Sequence, residues 1–274
     1  MALEPVRAGS GWLWLREPAD ADARSGELVE IVREHLPDGP LKIHDLGGGT
    51  GSMARWLAPQ LDGPQQWVLH DRDAELLELA SGLPVPRARD GAAVTLETRL
   101  NDITRLDAGE LAGASLITAS ALLDMFTAEE LDRFVATCAS AGCPALVTLS
   151  VVGRVELTPA DPLDEGLMAA FNAHQQRRST IGRLLGPGAA AAAPEAFGGA
   201  GLEVLERPSA WRLMPDRAAL AAEWFTGWIG AALEQDPSLV ERTAPYVLQR
   251  RAQLTAGGLS VIVDHVDLLA LPGR

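Results

Sequence analysis

Cysteine, lysine and long apolar runs are scarce in this sequence. Its 274 residues contain two cysteines, Cys138 and Cys143, and a single lysine, Lys42. Two thiols five positions apart form neither a disulfide framework nor a zinc-binding pattern, and so few thiols are typical of a reducing cytosol. No apolar run approaches about 18 residues, and the first residues lack the basic and apolar segments of a signal peptide. We therefore expect a cytoplasmic protein without a membrane span.

Positively charged residues are also fewer than negatively charged ones. The chain has 23 Lys and Arg against 37 Asp and Glu, a formal net charge of −14. This balance argues against binding to nucleic acid, because phosphate backbones need clustered Lys and Arg, and against docking on an anionic membrane surface. Hydrophobic residues make up 47% and charged residues 22%, which is ordinary for a globular protein. The composition predicts a folded globular protein that binds neither nucleic acid nor an anionic membrane.

Short apolar runs alternate with longer amphipathic ones along the chain, which is typical of β-α-β units and a mostly parallel sheet. The pattern predicts strands at residues 42–46, 66–70, 94–100, 115–119, 145–152, 202–206 and 259–268. It predicts helices at residues 19–36, 52–61, 73–80, 127–141, 164–178, 216–234 and 238–255. We expect these elements to form one α/β domain over residues 1–274.

The strongest local signal is the segment Ile43-His44-Asp45-Leu46-Gly47-Gly48-Gly49-Thr50-Gly51, between a predicted strand and a predicted helix. Glycines there let the backbone turn sharply and let a ligand approach closely, and the next helix offers free N–H groups. A tight turn without a ligand is the alternative. The G-x-G-x-x-G pattern of dinucleotide folds fails because its last position is Ser52, and a phosphate-binding P-loop would need a lysine before Ser52.

An acid followed by glycines at alternate positions (Asp45, Gly47, Gly49 and Gly51) resembles the first motif of the class I S-adenosylmethionine-dependent methyltransferases. The strand Trp67-Val68-Leu69-His70 ends at Asp71, which resembles the family's ribose-binding acid, although Asp73 is a possible substitute or the cap of the next helix. Asp102 follows the third strand, where the family places an acid beside the adenine amino group; a plain turn aspartate is the alternative.

The resemblance implies S-adenosylmethionine as cofactor and a Rossmann-like, mostly parallel seven-stranded sheet. Helices would lie on both faces, the last strand would be antiparallel, and a helical cap would be added. Residues 42–152 would form the cofactor core, 1–41 an N-terminal helical or lid segment, and 153–258 the acceptor side. The implied cofactor-binding residues are Asp45, Gly47, Gly48, Gly49, Gly51, Asp71, Arg72, Asp102, Ile103 and Ser120.

The acceptor is less well marked, because methyl transfer needs no nucleophile from the enzyme. The residues from Ser120 to Leu123 lack the Pro-Pro-aromatic sequence of amino-methylating DNA enzymes, which favours a small-molecule acceptor. We consider His174 and Asp124 as candidate catalytic bases. His174 is equally consistent with a helix surface, and Asp124 with the cap of the following helix. No metal-binding pattern is present.

Several segments remain open to two interpretations. Trp12 and Trp14 could form a lid, with Arg16 or Arg24 meeting the cofactor carboxylate or an acidic substrate, or they could pack on the core. Trp224 and Trp228 share a helical face and could belong to the core, a pocket wall or a homodimer surface. Residues 186–201 could be a closing loop or a plain linker.

Other functions also fit parts of the pattern. Aminopropyltransferases have the same fold and a triple-glycine turn, usually followed by aspartate where this chain has Thr50. An NAD oxidoreductase fits less well because of the glycine spacing. A protein that binds the cofactor without catalysis remains the alternative from a different class.

Overall fold

The computed structural model describes residues 9–273. These residues contain eight strands and nine α-helices. The strands are β1 (Leu41–Leu46), β2 (Gln65–Asp71), β3 (Val94–Leu100), β4 (Leu116–Ser120), β5 (Ala145–Thr158), β6 (Leu202–Pro208), β7 (Trp211–Leu213) and β8 (Ser260–Pro272). The helices are α1 (Ser10–Ala23), α2 (Gly26–His35), α3 (Ser52–Leu57), α4 (Ala74–Ser81), α5 (Ala128–Ala141), α6 (Asp164–Gln175), α7 (Ala189–Gly199), α8 (Ala218–Gln235) and α9 (Val240–Thr255).

The strands form one sheet in the order β3-β2-β1-β4-β5-β8-β6. The first five are parallel to one another, and β8 runs antiparallel to both β5 and β6. This confirms the Rossmann-like, mostly parallel sheet with an antiparallel last strand. The seven strands in this order are the seven predicted ones, and a further three-residue strand, β7, pairs with β8 at Val261–Val263. So short a strand leaves no alternating pattern in the sequence.

Helices cover both faces of the sheet and bury its apolar strands, as parallel sheets require. On one face α2, α3 and α4 pack against β1 and β2, with Trp67 fully buried between them. On the other face α5 and α7 pack against β4 and β5, around Phe134 and Phe197. A third cluster joins α1, α6, α8 and β7 around Trp228 and forms the expected helical cap.

The N-terminal helix prediction is wrong in its bounds. Instead of one helix at 19–36, α1 begins at Ser10 and α2 begins at Gly26, with an extended Arg24 and Ser25 between them. The Ser25 hydroxyl accepts a hydrogen bond from the Leu28 amide and caps α2, a signal that the apolar periodicity overrode. Pro18 lies inside α1, at the cost of one backbone hydrogen bond.

Residues 186–201, expected as a loop or linker, contain a 3₁₀ turn at Gly186–Gly188 and the helix α7. Alanine is the best helix former, and Phe197 of α7 meets Phe134 of α5 with ring centroids 6.4 Å apart. Several other bounds differ from prediction: β5 continues to Thr158 and β8 to Pro272, whereas α3 ends at Leu57 and α6 ends at Gln175. Among residues 9–273, no helix combines the length and hydropathy needed to cross a bilayer.

Candidate functional site

The glycine turn lies between β1 and α3, at the carboxyl edge of the parallel strands. Gly47, Gly49 and Gly51 have φ angles of +74°, +52° and +81°, a region that side chains with a Cβ rarely adopt. Gly48 is needed for a different reason, since a Cβ on it would lie 2.9 Å from Asp45 Oδ2. The amides of Gly47 and Gly48 both donate to the His70 carbonyl, which ties the turn to β2.

Asp71, at the end of β2, is held against this turn. Its Oδ2 accepts a hydrogen bond from the Gly49 amide at 2.9 Å, and its Oδ1 accepts one from the Asp73 amide at 2.9 Å. Arg72 points to solvent. Asp73 caps α4 by accepting from the amides of Glu75 and Leu76, the alternative role considered for it.

Asp102 and Ile103 lie beyond the end of β3, beside the same edge. The neighbouring Asn101 amide donates to the Asp71 carbonyl at 3.0 Å, which places this segment next to β2. Asp102 is exposed, and its Oδ1 accepts from the amide and the hydroxyl of Thr104. Ile103 is half-buried beneath it. The Asp102 Oδ1 thus stabilises the local turn, and its Oδ2 lies 3.5 Å from Nε of Arg105.

Asp45 is a buried acid within β1. Its Oδ1 accepts a hydrogen bond from Thr118 Oγ1 at 2.8 Å, whereas its buried Oδ2 has no hydrogen-bond partner among the described residues. Removal from water raises the pKa of Asp45 to about 6, against the opposing effects of Thr118 and the nearby Arg24. A buried carboxylate oxygen without a donor is suited to binding a cationic ligand group.

Arg24, in the link between α1 and α2, is also buried at this edge, with 5% of its surface exposed. Its Nη2 donates to Ser120 Oγ at 3.1 Å and reaches Ser52 Oγ at 3.4 Å, and the guanidinium lies 5.2 Å from the Trp56 ring centroid. Its Nε and Nη1 are buried without a partner in the described part of the chain. Burial lowers the pKa of this guanidinium, which gains from an anionic ligand.

Backbone strain is concentrated beside these hydroxyls. Among the non-glycine residues of the described chain, only Ala121 and Leu149 have a positive φ, at 51° and 59°. Ala121 follows Ser120, and Leu149 follows Thr148, whose hydroxyl donates to Ser120 Oγ at 3.0 Å. Such strain costs on the order of 1 kcal/mol or more per residue and is typical of functional sites.

Helix α1 lies against the glycine turn and also packs on the core. Leu13 Cδ1 lies 3.6 Å from where a Cβ of Gly49 would stand. The Arg55 guanidinium lies over the Trp14 ring, 5.1 Å from the ring centroid. Trp12 packs on Trp211, with ring centroids 6.1 Å apart.

Asp124 follows β4 in a 3₁₀ turn, four residues beyond Ser120. It does not cap α5, since Thr127 and Glu130 form the capping box of that helix. Burial raises the pKa of Asp124 to about 6, and the cations that oppose this shift are Arg16 and Arg177.

His174 lies in the last turn of α6 and contacts α8. Its Nε2 is 3.4 Å from Glu234 Oε2, and its Nδ1 is 3.4 Å from Nη1 of Arg177. Burial lowers the pKa of His174. The Glu234 contact gives His174 a structural role between helices.

The remaining aromatic and histidine candidates belong to the interior. Trp224 and Trp228 are buried and stacked, with centroids 5.3 Å apart, so they are core residues. His44 and His70 stack on each other, and His265 is buried in β8. Within residues 9–273 no group of three His, Cys, Asp or Glu side chains is placed to hold a metal ion.

Two surface cavities lie away from this edge. One of about 330 Å³ is bounded by α5 and α7, including Leu131 and Glu195. Another of about 420 Å³ follows β6 and β8, beside Arg207 and Asp264. We place more weight on the glycine edge than on either cavity, because buried unpartnered polar groups and strained backbone lie at that edge.

Sequence reasoning missed Asp267 and Thr148. Asp267 is fully buried in β8. The available signal was an acid between Val266 and Leu268, in the apolar final part of the strand. No sequence signal marked Thr148, because threonine is common in β-strands.

Comparisons with known proteins give structural matches only; no protein-family model and no curated protein matches the sequence. The cyclopropane synthase MmaA2 from Mycobacterium tuberculosis matches with a TM-score of 0.50 and 13% identity, over 96% of this chain and 94% of that chain. The geranyl diphosphate C-methyltransferase from Streptomyces coelicolor A3(2) matches with a TM-score of 0.46 and 12% identity, over 90% and 80%. Magnesium protoporphyrin IX methyltransferase (ChlM) from Synechocystis PCC 6803 matches with a TM-score of 0.45 and 15% identity, over 76% and 83%.

These matches are too distant to transfer an activity, but the first one supports the architecture over nearly the whole of both chains. Together with the strand order, this first match confirms the fold that the glycine and acid motifs predict. The chain has the Rossmann-like fold of the class I S-adenosylmethionine-dependent methyltransferases.

Proposed function

We propose that this protein transfers a methyl group from S-adenosylmethionine to a small-molecule acceptor. The observation that carries the proposal is the arrangement of Asp71, Asp45 and Arg24 around one glycine turn. Each group has chemistry that suits a different part of this cofactor. The bound cofactor would supply a methyl carbon activated by a sulfonium leaving group.

Asp71 would bind the ribose hydroxyls. Its carboxylate is fixed at the end of β2 by two backbone amides, so its orientation is set before a ligand arrives. A carboxylate can accept from both hydroxyls of a ribose. Asp102, one strand further along the edge, would accept from the adenine amino group, with Ile103 packing against the ring. Arg72 would lie at the exposed rim of this part of the site.

Arg24 and Asp45 would bind the two charged groups of the amino-acid end. The buried guanidinium offers unpartnered N–H groups to a carboxylate, and the buried Asp45 Oδ2 offers an acceptor to an ammonium group. Ser120 Oγ accepts a hydrogen bond from Nη2 of the same guanidinium and would lie beside the carboxylate. An aminopropyl donor lacks this carboxylate, so the buried arginine favours methyl transfer over aminopropyl transfer.

Asp124 is the better placed of the two candidate bases. It follows β4 directly and carries a carboxyl of raised pKa, whereas His174 is engaged by Glu234. In its ionised form, a carboxylate oxygen of Asp124 would accept the proton of an acceptor hydroxyl or amine. Helix α1 would exclude water from the glycine turn. The net charge of −14 supports a small acceptor over a polyanion.

Two measurements test the proposal. Calorimetry with S-adenosylhomocysteine and with NAD identifies the cofactor, and heat with NAD alone would refute the assignment. Incubation with methyl-labelled cofactor and a metabolite extract then tests catalysis. Label recovered in a small molecule supports methyl transfer, whereas tight binding without transfer to any extract supports a non-catalytic cofactor-binding protein.

A further inference from the structure

The buried acid Asp267 closes a ring of polar contacts around the proposed amino-acid end of the site. Its Oδ2 accepts from the Ser25 amide at 2.8 Å, and its Oδ1 accepts from the Leu149 amide at 2.8 Å. Ser25 is bonded to Arg24 in the chain, and Leu149 to Thr148. Arg24 and Thr148 then meet at Ser120 Oγ, at 3.1 Å and 3.0 Å.

A β-bulge explains why a carboxylate stands at this point. Val147 of β5 is paired with Leu268 of β8, and Ser150 is paired with Val266, so two residues of β5 lie opposite Asp267 alone. The bulge removes the Leu149 amide from the strand ladder and puts Leu149 at φ 59°. A buried amide without an acceptor costs about 1–3 kcal/mol, and Asp267 supplies the acceptor.

On its other side, Asp267 fixes the link between α1 and α2. The Ser25 amide belongs to the N-cap residue of α2 and has no acceptor within that helix. The bond to Asp267 anchors this amide to β8, 242 positions away in sequence. Arg24 immediately precedes it, so the position of the guanidinium depends on this anchor.

We infer that Asp267 is a positioning residue, which sets Arg24 and the Ser120–Thr148 hydroxyl pair for binding the amino-acid carboxylate of the cofactor. Both oxygens of Asp267 are used by backbone amides, and the side chain is fully buried, so it acts through its neighbours and not by contact with a ligand. The inference rests on the proposed function, since it presumes a cofactor with an amino-acid end.

Two ligands separate the positioning role from general destabilisation. S-Adenosylhomocysteine carries the amino acid, whereas 5′-methylthioadenosine has the same adenosine and thioether without it. Asp267→Asn keeps the size of the side chain but turns an NH₂ group toward one of the two amides. We expect it to weaken S-adenosylhomocysteine binding by about tenfold or more, the size of one charge-assisted hydrogen bond, and methylthioadenosine binding by less than about twofold.

Ser25 offers a matched pair of variants that leaves Asp267 in place. Ser25→Pro removes the amide hydrogen and suits the observed φ of −72°, and the preceding Arg24 is extended, as a residue before proline should be. Ser25→Ala loses the same cap hydroxyl but keeps the amide. We expect Ser25→Pro to weaken S-adenosylhomocysteine binding relative to methylthioadenosine binding, as Asp267→Asn does. Ser25→Ala should leave the ratio of these two affinities unchanged.

Two further variants complete the design. Asp164→Asn removes another acid, a partly buried one that accepts from Tyr246 and Arg250 in the helical cap, and should lower stability without changing the affinity ratio. In an Arg24→Met background, Asp267→Asn should weaken S-adenosylhomocysteine binding much less than it does in the wild type, because the guanidinium is gone and only the Ser120–Thr148 hydroxyl pair is left to position.

The outcomes are distinguishable. If wild-type protein binds neither ligand, the proposed function and the inference both fail. If it binds both, and Asp267→Asn weakens both equally or adds fully to Arg24→Met, the positioning role alone is overturned. If Asp267→Asn does not fold, the Ser25 pair decides, and equal affinity ratios for Ser25→Pro and Ser25→Ala overturn the inference.

Discussion

The imidazoles of His44 and His70 stack inside the protein, with His44 Nδ1 2.8 Å from His70 Nε2. His70 Nδ1 reaches Asn101, whereas His44 Nε2 is buried without a partner in the described chain. Burial and the neighbouring His70 lower the pKa of His44 to about 3, so the pair is neutral in the folded protein. Since the same two strands carry Asp45 and Asp71, this pair lies within the scaffold of the proposed cofactor site.

This pair makes stability sensitive to acid. In the unfolded chain His44 takes up a proton near pH 6.5, but in the folded protein it does so only near pH 3. The stability that depends on neutral His44 is therefore fully present above pH 6.5 and is lost as the pH falls toward 3. From pH 7.5 to 5, wild type should lose about 2 kcal/mol more unfolding free energy than His44→Asn. Urea denaturation measures this difference, and parallel curves for the two proteins would contradict it.

Asp71→Ala should abolish measurable binding of S-adenosylhomocysteine. The variant loses the carboxylate proposed for the ribose and leaves the Gly49 amide without its acceptor, so both ligand contact and turn geometry suffer. Isothermal titration calorimetry measures the affinity. Asp62→Asn, an acid on the surface paired with Arg89, is the control and should bind as wild type does. Retained binding in Asp71→Ala would remove Asp71 from the site.

Gly48→Ala should destabilise the protein by about 1–3 kcal/mol and impair cofactor binding, because the added methyl would lie 2.9 Å from both Asp45 Oδ2 and Leu69 Cγ. The φ of Gly48 is not positive, so the effect reports crowding and not backbone strain. Gly109→Ala is the matched control, since nothing lies within 4 Å of its Cβ position. Thermal unfolding compares them, and equal midpoints would show that the turn has room for a side chain.

Methyl transfer should depend on the ionisation of Asp124. Its pKa of about 6 predicts a rate that rises about tenfold per pH unit below pH 6 and levels off above it. Asp124→Asn should lower the rate by about 10²–10⁴-fold and leave the affinity for S-adenosylhomocysteine unchanged. Asp132→Asn, on the exposed face of α5, is the control. A flat pH profile, or full activity in Asp124→Asn, would exclude Asp124 as the base.

Local chemistry made several elements predictable. The glycine turn, the strand that ends at Asp71 and the cap at Asp73 each depend on a few adjacent residues, and the structure has all three. Predictions failed where a local signal competed with periodicity or was too short. The Ser25 cap divides the predicted helix 19–36, and the Gly and Pro of residues 186–201 predict a closing loop or a linker where the structure has the alanine-rich helix α7.

The sequence by itself determined the order of the strands and the acids and glycines at their carboxyl ends, because parallel β-α-β units bring those ends to one edge. Only the tertiary structure decided which distant groups complete that edge. Asp267 meets Ser25 across 242 positions, and Arg24 meets Ser120 across 96. No periodicity carries such pairings, since they arise when the antiparallel β8 is inserted beside β5 and its bulge leaves one amide for a buried carboxylate.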